Sequence, residues 1–412
     1  MMTSIAVKTY PLTGVRVLDL GTMLAGPVAA TLLGDFGADV IKIEQPGGGD
    51  TIRKLGPFAD GESLSWHVEG RNKKSVTIDL RVPAGQKLLL DLASKADVVV
   101  ENFRPGTMEK WGIGYDTLSK VNPELILLSI SGYGQTGPYA SRAAYDRIAL
   151  AFAGVLNITG FPDRPPVRPG IAMADYQAAL FGAFGTMLAL YGRDAAGGTG
   201  QHIDLALYEA VFRFTDVMVT AYEKSNTKRE RTGNKHFAAA PGDHFPTSDG
   251  RYIALTVSAD TVFKRLCELM EMPSLITDER FTSHARRVQN LDAINAIVAD
   301  WIYKQPVEVV MASLEKAGLA FSPILSVQEI TENEHYKARG SIATMEHPRL
   351  GPLKVPAVVP RMSNTPTREF EPAPELGEHT AEILADWLGM DALAIEALAS
   401  DGVITTPKAV TA

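Results

Sequence analysis

Short apolar runs alternate with longer amphipathic stretches through the first half of the chain. The runs that predict strands are residues 15–20, 39–44, 76–80, 97–100 and 125–130. Helices are predicted between them, for example at 28–36 and 83–96. This alternation favours the α/β class, with a Rossmann-like parallel sheet covered by helices. Gly-, Pro- and Asn-rich loops follow the strands, and such loops at the carboxyl ends of parallel strands commonly bind ligands.

The pattern changes near residue 222. Segment 223–235 is polar and charged, and a strand predicted at 252–257 is followed mainly by helices. Residues 348–374 are rich in Pro and Thr and are expected to be irregular. A chain of 412 residues usually exceeds one hydrophobic core. We therefore predict a large domain over 1–222, a smaller α+β domain over 223–325, and a C-terminal segment, 326–412, that returns to the large domain.

The longest apolar run, residues 178–191, lies just after Asp175 and predicts a helix buried in protein. Asp175 would lie in or just before its first turn, where the helix dipole favours an ionised carboxylate. Two interpretations remain open at this point. The carboxylate could cap the helix by accepting backbone N–H groups, or it could serve as a nucleophile. The run is short for a bilayer span and contains two glycines, so no membrane segment is expected.

Composition narrows the function classes. The chain is 45% hydrophobic and 21% charged, as in ordinary globular proteins, and its net charge of −8 argues against nucleic-acid or anionic-membrane partners. The single cysteine, Cys267, rules out internal disulfides and lies in an apolar helical pattern, which favours a buried structural thiol. The N-terminus lacks a secretory or transit pattern, so we expect a cytoplasmic protein.

Because several common catalytic motifs are missing, carboxylate or general acid/base chemistry remains the candidate reaction type. There is no P-loop, no nucleophile elbow and no histidine spacing typical of a metal site, and the first strand-helix-strand unit, residues 15–44, lacks the G-x-G-x-x-G pattern. Basic residues, by contrast, cluster at the predicted strand exits. They are Lys42, Arg53, Lys54, Arg71, Lys73, Lys74, Arg81, Arg104 and Lys110. Such a cluster is either a solvated surface or a site for a polyanionic small molecule.

Six stretches in a fixed order carry a family resemblance. They are the opening (15–20, 25–27 and 37–44), then 71–76, 100–106, 131–138, 168–175 and 376–380. Together they resemble the class III CoA-transferases, the CaiB/BaiF family to which formyl-CoA transferase belongs. The sequence around residues 131–138 and 166–175 is most similar to that of members that use succinyl-CoA and dicarboxylates. The resemblance implies the CoA-transferase III fold and an interlocked homodimer.

The resemblance also assigns a role to Asp175. It implies that the carboxylate attacks an acyl-CoA thioester, giving first an aspartyl-acyl anhydride and then an aspartyl-CoA thioester, from which an acceptor carboxylate takes the CoA. The exchange of one carboxylate for another is nearly isoenergetic, so neither ATP nor a metal is needed. CoA and acyl-CoA are then substrates, and no tightly bound cofactor is expected. Water must be kept away from both intermediates.

Further positions follow from the resemblance. Met23 and Leu24 would line the thioester site, and Leu24 replaces a glutamine of formyl-CoA transferase, which makes small oxalate-type substrates unexpected. Tyr145 and Asp146 match residues near the nucleophile, and segment 235–242 matches a loop that covers the active site in some members. The positions matching CoA contacts are Ile78, Arg81, Asn102, Phe103 and Lys110, the last in place of an arginine.

Two alternatives remain. An α-methylacyl-CoA racemase of the same fold pairs its acidic residue with a histidine at the position of Tyr145. A racemase needs two groups that exchange a proton at the α-carbon, and a tyrosine phenol titrates too far above neutral pH to do so well. A regulator that binds CoA without turnover is the non-enzymatic alternative.

Overall fold

The computed structural model describes residues 10–236, 238–366 and 368–406. Their contacts divide the chain into two compact units. The first unit runs from the start of the described chain to Val155 and also contains Arg168–Val217 and the part from Gly340 onward. The second contains Leu156–Val167 and Met218–Arg339. The domain limits given above, at 222 and 325, stay a prediction.

The elements follow one another along the chain as strands, helices and two short 3-10 helices at Thr51–Lys54 and Pro273–Ile276. The strands are β1 (Arg16–Asp19), β2 (Asp39–Glu44), β3 (Phe58–Ala59), β4 (Glu62–Ser63), β5 (Lys73–Thr77), β6 (Val98–Glu101), β7 (Ile126–Ser131), β8 (His202–Ala206), β9 (Gly242–Pro246), β10 (Tyr252–Thr256), β11 (Ala320–Pro323), β12 (Ile342–His347) and β13 (Gly351–Pro356). The helices are α1 (Ala25–Asp35), α2 (Leu64–Glu69), α3 (Pro83–Ala93), α4 (Thr107–Lys110), α5 (Tyr115–Val121), α6 (Asp146–Phe152), α7 (Val155–Ile158), α8 (Met173–Ala196), α9 (Leu207–Phe212), α10 (Met218–Ser225), α11 (Asp260–Leu269), α12 (His284–Gln289), α13 (Leu291–Tyr303), α14 (Val307–Lys316), α15 (Val327–Glu332), α16 (Glu334–Arg339), α17 (Thr380–Leu388) and α18 (Ala392–Ser400).

The first unit is built on a six-stranded sheet in the order β5-β2-β1-β6-β7-β8. All five strand pairs are parallel, as the alternating pattern predicts. One face is covered by α3, α5, α17 and α18, which share a hydrophobic core with the sheet. Helices α1 and α8 pack against each other and against strands of the sheet. The strands therefore all point their carboxyl ends to the same edge.

The predicted strand at 76–80 is wrong in its limits, because β5 begins at Lys73 and ends at Thr77. Its buried positions include Lys73 and Ser75, which an apolar pattern does not reveal. Lys73 is tolerated there because its ammonium group lies 2.8 Å from Asp19. The region 348–374 was expected to be irregular, yet β12 and β13 form an antiparallel hairpin whose second strand lies inside it. The prolines in β13 are atypical of strand interiors, which is why the sequence pattern did not predict this edge strand.

The C-terminal part of the chain packs on the sheet of the first unit. The Thr77 N–H donates to the Thr380 hydroxyl at 3.1 Å, and the Thr405 N–H donates to the Thr77 hydroxyl at 2.8 Å. Side chains of α17 and α18, Ile383 and Ile395 among them, complete the core there. The first unit is therefore assembled from sequence segments that are far apart along the chain.

Helix α8 has two different sides. The side toward the sheet consists of small residues, and a Cβ atom on Gly182 would come within 2.9 Å of Leu128. The other side carries large apolar residues that are exposed in the single chain: Leu180, Phe184, Met187, Leu188 and Tyr191. The helix predicted to be buried in protein is thus buried on one side in the single chain. Among the described residues, no helix has both the length and the apolar character needed to cross a bilayer.

The second unit has its own core. Its antiparallel sheet has the strand order β11-β10-β9, and α11, α13 and α14 supply much of the surrounding apolar cluster. Cys267 is fully buried in this cluster, and burial raises the pKa of its thiol to about 11. The thiol is thus held protonated, as expected for a structural cysteine.

Candidate active site

A cavity of about 300 Å³ lies in the first unit where several strands of the parallel sheet end. Loops after β1 and β6, the end of β7 and the start of α9 form its walls, and Asp175 lines it from α8. Seven of the residues singled out from the sequence line this cavity together: Met23, Leu24, Asn102, Phe103, Arg104, Tyr145 and Asp175. They come from four separate places in the chain, and the parallel topology is what brings them together.

Asp175 lies in the first turn of α8, but it does not cap the helix. The N-cap residue is Ala172, and no side chain caps at that position. Instead, Asp146 accepts a hydrogen bond of 2.7 Å from the backbone N–H of Ala174. Across the described ranges, the Asp175 carboxylate has no hydrogen-bond or ion-pair partner. The sequence left open whether Asp175 caps the helix or serves as a nucleophile. In the structure, Asp146 and not Asp175 accepts a backbone N–H at the start of α8.

The environment of Asp175 makes its carboxyl group weakly acidic. Burial, and secondly the negative charge of Asp146, raise the pKa of Asp175 to about 7. The sequence predicted that the helix dipole would keep the group ionised, but desolvation outweighs that effect. An unpaired carboxylate in a partly dry cavity is poorly solvated once ionised, and poor solvation increases nucleophilicity.

The wall formed by residues 22–25 is fixed by two side chains from outside it. The Asn102 side chain accepts from the Thr22 N–H at 2.7 Å and donates to the Thr22 carbonyl at 2.8 Å. Asp50 accepts from the Met23 N–H at 2.9 Å. Met23 has a φ of 64°, a left-handed conformation that is rare for a non-glycine residue. The surrounding hydrogen bonds therefore hold the wall in a strained conformation.

Beneath this wall lies a buried ionic network. Lys42 lies 3.1 Å from Asp50 and 3.5 Å from Asp19, and it also donates to the Gly21 carbonyl. Burial opposes the charge on Lys42, but Asp19 and Asp50 outweigh it and raise the pKa of the ammonium group. Lys73 pairs with the other oxygen of Asp19. The network ties β1, β2 and β5 to the loop that carries Met23.

A second cavity, of about 200 Å³, adjoins the first through Phe103, which lines both. Ile78 and Arg81 line it, as do Thr22 and Trp111, and the Trp111 and Phe103 rings meet edge to face at 5.3 Å. Arg81 is paired with Asp79 through contacts of 2.8 and 2.7 Å. Lys110, at the end of α4, is not among the described residues that line either cavity. The CoA-contact roles of all these residues stay predictions.

Phe103 is positioned by a residue that the sequence interpretation missed. Glu101 ends β6, is buried, and accepts from the Phe103 N–H at 2.7 Å. Burial raises the pKa of Glu101 to about 7. Asp50 and Arg142 were missed as well, the first because it follows a run of glycines and the second because no motif marks it. Of these three residues, only Glu101 could have been suspected from the sequence, because it lies at the exit of a predicted strand.

Glu62, His67 and His347 form a cluster that no spacing in the sequence indicates, because the third residue is distant from the other two. Ligand atoms of the three lie within 4.8 Å of one another. Both Glu62 oxygens, however, accept hydrogen bonds from Arg349, at 2.6 and 2.7 Å. These hydrogen bonds are the main reason why the pKa of Glu62 is lowered to about 2. His347 Nδ1 accepts backbone N–H groups, so its Nε2 carries the proton. The cluster is thus arranged as a hydrogen-bond network.

Segment 235–242 belongs to the second unit, and Phe237 within it lies outside the described residues. Lys235 pairs with Asp292, and Gly242 begins β9. Its role as a cover for the active site stays a prediction.

Comparisons with known proteins show which family this chain resembles. A model of CoA-transferase family III matches residues 12–380. The succinyl-CoA–L-malate CoA-transferase alpha subunit of Chloroflexus aurantiacus is 43% identical over 96% of this chain and 93% of its own. The mouse succinyl-CoA:glutarate CoA-transferase is 37% identical over 96% of this chain and 90% of its own. A CaiB/BaiF family protein from Brucella suis has a crystal structure with a TM-score of 0.83 and 35% identity, covering 92% of this chain and 100% of that one.

The chain therefore belongs to CoA-transferase family III. The resemblance found in the six sequence stretches is confirmed, and with it the α/β fold class and the assignment as a CoA-transferase.

Proposed function

We propose that the protein transfers CoA from succinyl-CoA to a small dicarboxylic acid, with Asp175 as the covalent nucleophile. The observation that carries the proposal is the Asp175 carboxylate itself, which lines the cavity at the start of α8 without a partner among the described residues. The relatives that act on malate and glutarate with succinyl-CoA support the substrate class. Leu24, in the same cavity wall, supports it too, since the resemblance associates a glutamine there with formyl-CoA transferase.

In the proposed reaction, a carboxylate oxygen of Asp175 attacks the thioester carbonyl and CoA leaves as a thiolate. The thiolate then attacks the aspartyl carbonyl of the mixed anhydride and releases the donor acid as its carboxylate. The acceptor carboxylate attacks the resulting aspartyl-CoA thioester, and the same two steps run in reverse to regenerate Asp175. Every bond broken is replaced by one of the same kind, so no energy source is required. CoA would extend from the main cavity into the second, past Phe103.

Trapping the intermediate tests this proposal. Incubation with succinyl-CoA without an acceptor is expected to leave a CoA thioester on the peptide that contains Asp175, detected by mass spectrometry after proteolysis. Hydroxylamine should release it, because it cleaves thioesters. Asp175→Asn is expected to lose more than about 1000-fold in kcat, as for removal of a covalent nucleophile. Full activity of that variant would contradict the proposal.

Asp163→Asn is a suitable matched control, since Asp163 is exposed and belongs to the second unit. It should retain both the adduct and the activity. The same reactions run in deuterated water test for a racemase, because that activity would exchange the α-proton of a chiral acyl-CoA. Tyr145 lines the cavity with Asp175 and is not suited to that exchange.

We propose further that the protein is a homodimer in the cytoplasm and that it uses CoA only as a substrate. The support for a dimer is the side of α8 that carries Leu180, Phe184, Met187, Leu188 and Tyr191, which repeat at helical spacing along a single face. Continuous apolar patches of this kind usually mark an interface, and a symmetric dimer is the commonest way to cover one.

A further inference from the structure

Two arginines line the main cavity together with Asp175, and neither is used by the proposed transfer chemistry. Arg104 follows β6, and Arg142 lies just before Tyr145. Both side chains are exposed, and neither guanidinium forms an ion pair with any residue in the described part of the chain. Other arginines of the first unit are neutralised, for example Arg53 by Glu44 and Arg71 by Asp35. The two in the cavity thus hold charge that is available to a ligand.

Arg142, unlike Arg104, stacks on an aromatic ring among the described residues. Its guanidinium lies over the ring of Tyr139, 3.6 Å from the ring centroid. Stacking of this kind fixes the plane of the guanidinium while its N–H groups at the edge remain free to donate. Such an edge matches a carboxylate, which it can bind through two parallel hydrogen bonds.

A dicarboxylate brings a specific electrostatic problem to this cavity. One carboxylate takes part in the reaction, and the other keeps its negative charge throughout. Asp175 lines the same cavity, and Asp146, the first residue of α6, accepts the Ala174 N–H in the first turn of α8, so the local protein charge is negative on that side. A second carboxylate is therefore bound only if a cation compensates it.

We propose that Arg142 binds the distal, non-reacting carboxylate of the dicarboxylate and so selects dicarboxylates over monocarboxylates. This inference rests on the proposed function, because it concerns the substrate of that same site. Arg104 is the less suitable partner, since it directly follows Phe103, one of two residues shared with the second cavity, where the phosphate groups of CoA are the expected anions. Donor and acceptor occupy the acyl site in turn, so Arg142 serves succinyl-CoA and the acceptor acid alike.

The test compares acids of equal length that differ in the distal group. For the wild-type protein with succinyl-CoA, kcat/KM is measured for glutarate and for its monocarboxylate counterpart, valerate. Arg142→Gln is expected to lower kcat/KM for glutarate by about 10- to 100-fold, the usual range for a lost hydrogen bond to a charged group. Its kcat/KM for valerate should stay within about threefold of the wild-type value when both proteins are assayed with the same donor, butyryl-CoA, so the preference for the diacid collapses.

Two further variants exclude a merely structural role. Arg142→Lys retains the positive charge but lacks the planar guanidinium, so it should restore part of the preference for the diacid. Arg142→Glu should shift the preference toward 5-aminovalerate, whose distal ammonium group matches the new carboxylate. Arg147→Gln, on the exposed side of α6 and outside the lining of the cavity, is the matched control and should behave as wild type.

The outcomes separate this inference from the proposed function. If wild type transfers CoA from succinyl-CoA to glutarate but Arg142→Gln keeps the preference for the diacid, the inference is overturned and the proposed function stands. The inference is also overturned if Arg142→Gln loses diacid and monoacid activity equally. If wild type itself transfers no CoA from succinyl-CoA to any dicarboxylate, the proposed function fails first.

Discussion

At the scale of single residues, the ionisation of Asp175 depends on its partial burial and on Asp146. Both oppose the negative charge, and together they raise the pKa of Asp175 to about 7. In the proposed mechanism only the ionised carboxylate attacks the thioester, so the active fraction of the free enzyme is expected to grow as pH rises through that value. Asp146 thus has two effects, because it also accepts the N–H of Ala174 and thereby fixes the turn that carries Asp175.

These two effects can be separated with Asp146→Asn. The amide keeps an oxygen that can accept the Ala174 N–H but removes the charge, so the pKa of Asp175 should fall. We expect the ascending limb of kcat/KM against pH, near pH 7 in wild type, to move to lower pH in the variant. Asp146→Ala removes both charge and hydrogen bond and should also lower the activity at the plateau. An unchanged ascending limb in Asp146→Asn would contradict the role assigned to its charge.

The same raised pKa predicts a cost in stability. A carboxyl group whose pKa is about 4 in the unfolded chain and about 7 in the folded protein costs stability as pH rises between those values. Asp175→Asn removes this cost. At pH 8 the variant is expected to exceed wild type by about 1–3 kcal/mol in free energy of unfolding, a figure reduced for partial solvent exposure. Denaturant titrations at pH 8 and pH 4 should show the difference at the higher pH and its loss at the lower.

At the scale of elements, the loop after β1 is organised from outside itself. Asn102 after β6 and Asp50 after β2 hold the backbone of Thr22 and Met23. Because both polar groups of the Asn102 amide are engaged with Thr22, Asn102 is a positioning residue in this structure. The resemblance alone assigned its stretch to CoA contacts, and hydrogen-bond partners of this kind cannot be inferred from a motif.

Kinetics should distinguish these two roles for Asn102. Asn102→Ala frees the Thr22 loop and is expected to lower kcat by about 10-fold or more, since misplaced walls impair the alignment of reacting groups. If the variant instead raised only KM for acyl-CoA and left kcat unchanged, the side chain would be a CoA ligand. Asn122→Ala is the control, because Asn122 also holds backbone, donating to Ala93 and Ala96 at 3.1 and 2.8 Å, but away from either cavity. It should lose stability and keep kcat.

The sequence predicted elements well wherever apolar residues alone define them. Strand β2 lies at the predicted 39–44, and β6 and β7 lie within one residue of the predicted 97–100 and 125–130. Prediction failed where polar groups are buried, as in β5, because Lys73 is stabilised there by Asp19, a partner 54 positions away. The site followed the same rule. Asp175 was identified and Asp146 was expected near it, whereas Asp50 and Glu101 act through hydrogen bonds that only the folded chain creates.

At the scale of the whole molecule, the exposed apolar side of α8 is the feature that the single chain does not explain. In the proposed dimer, a charge placed in its middle should be costly, since each large side chain that leaves the interface forfeits about 1.5–3 kcal/mol. Leu188→Glu is therefore expected to shift the protein toward monomer in light scattering coupled to size exclusion. Leu393→Glu changes a leucine of α18 that is more exposed than Leu188 and should leave the mass unchanged. A wild-type protein that is already monomeric at micromolar concentration would contradict the proposal.

The fixed wall at Thr22–Met23 also bears on how this protein could be re-engineered. The backbone there is held by Asn102 and Asp50, not by the side chains of Met23 and Leu24 that face the cavity. A library that varies position 24 would therefore sample new acyl groups against an unchanged frame. Position 23 is more restricted, because its φ of 64° favours glycine or asparagine over β-branched residues. Evolution of new acceptor ranges should accordingly proceed through position 24 first.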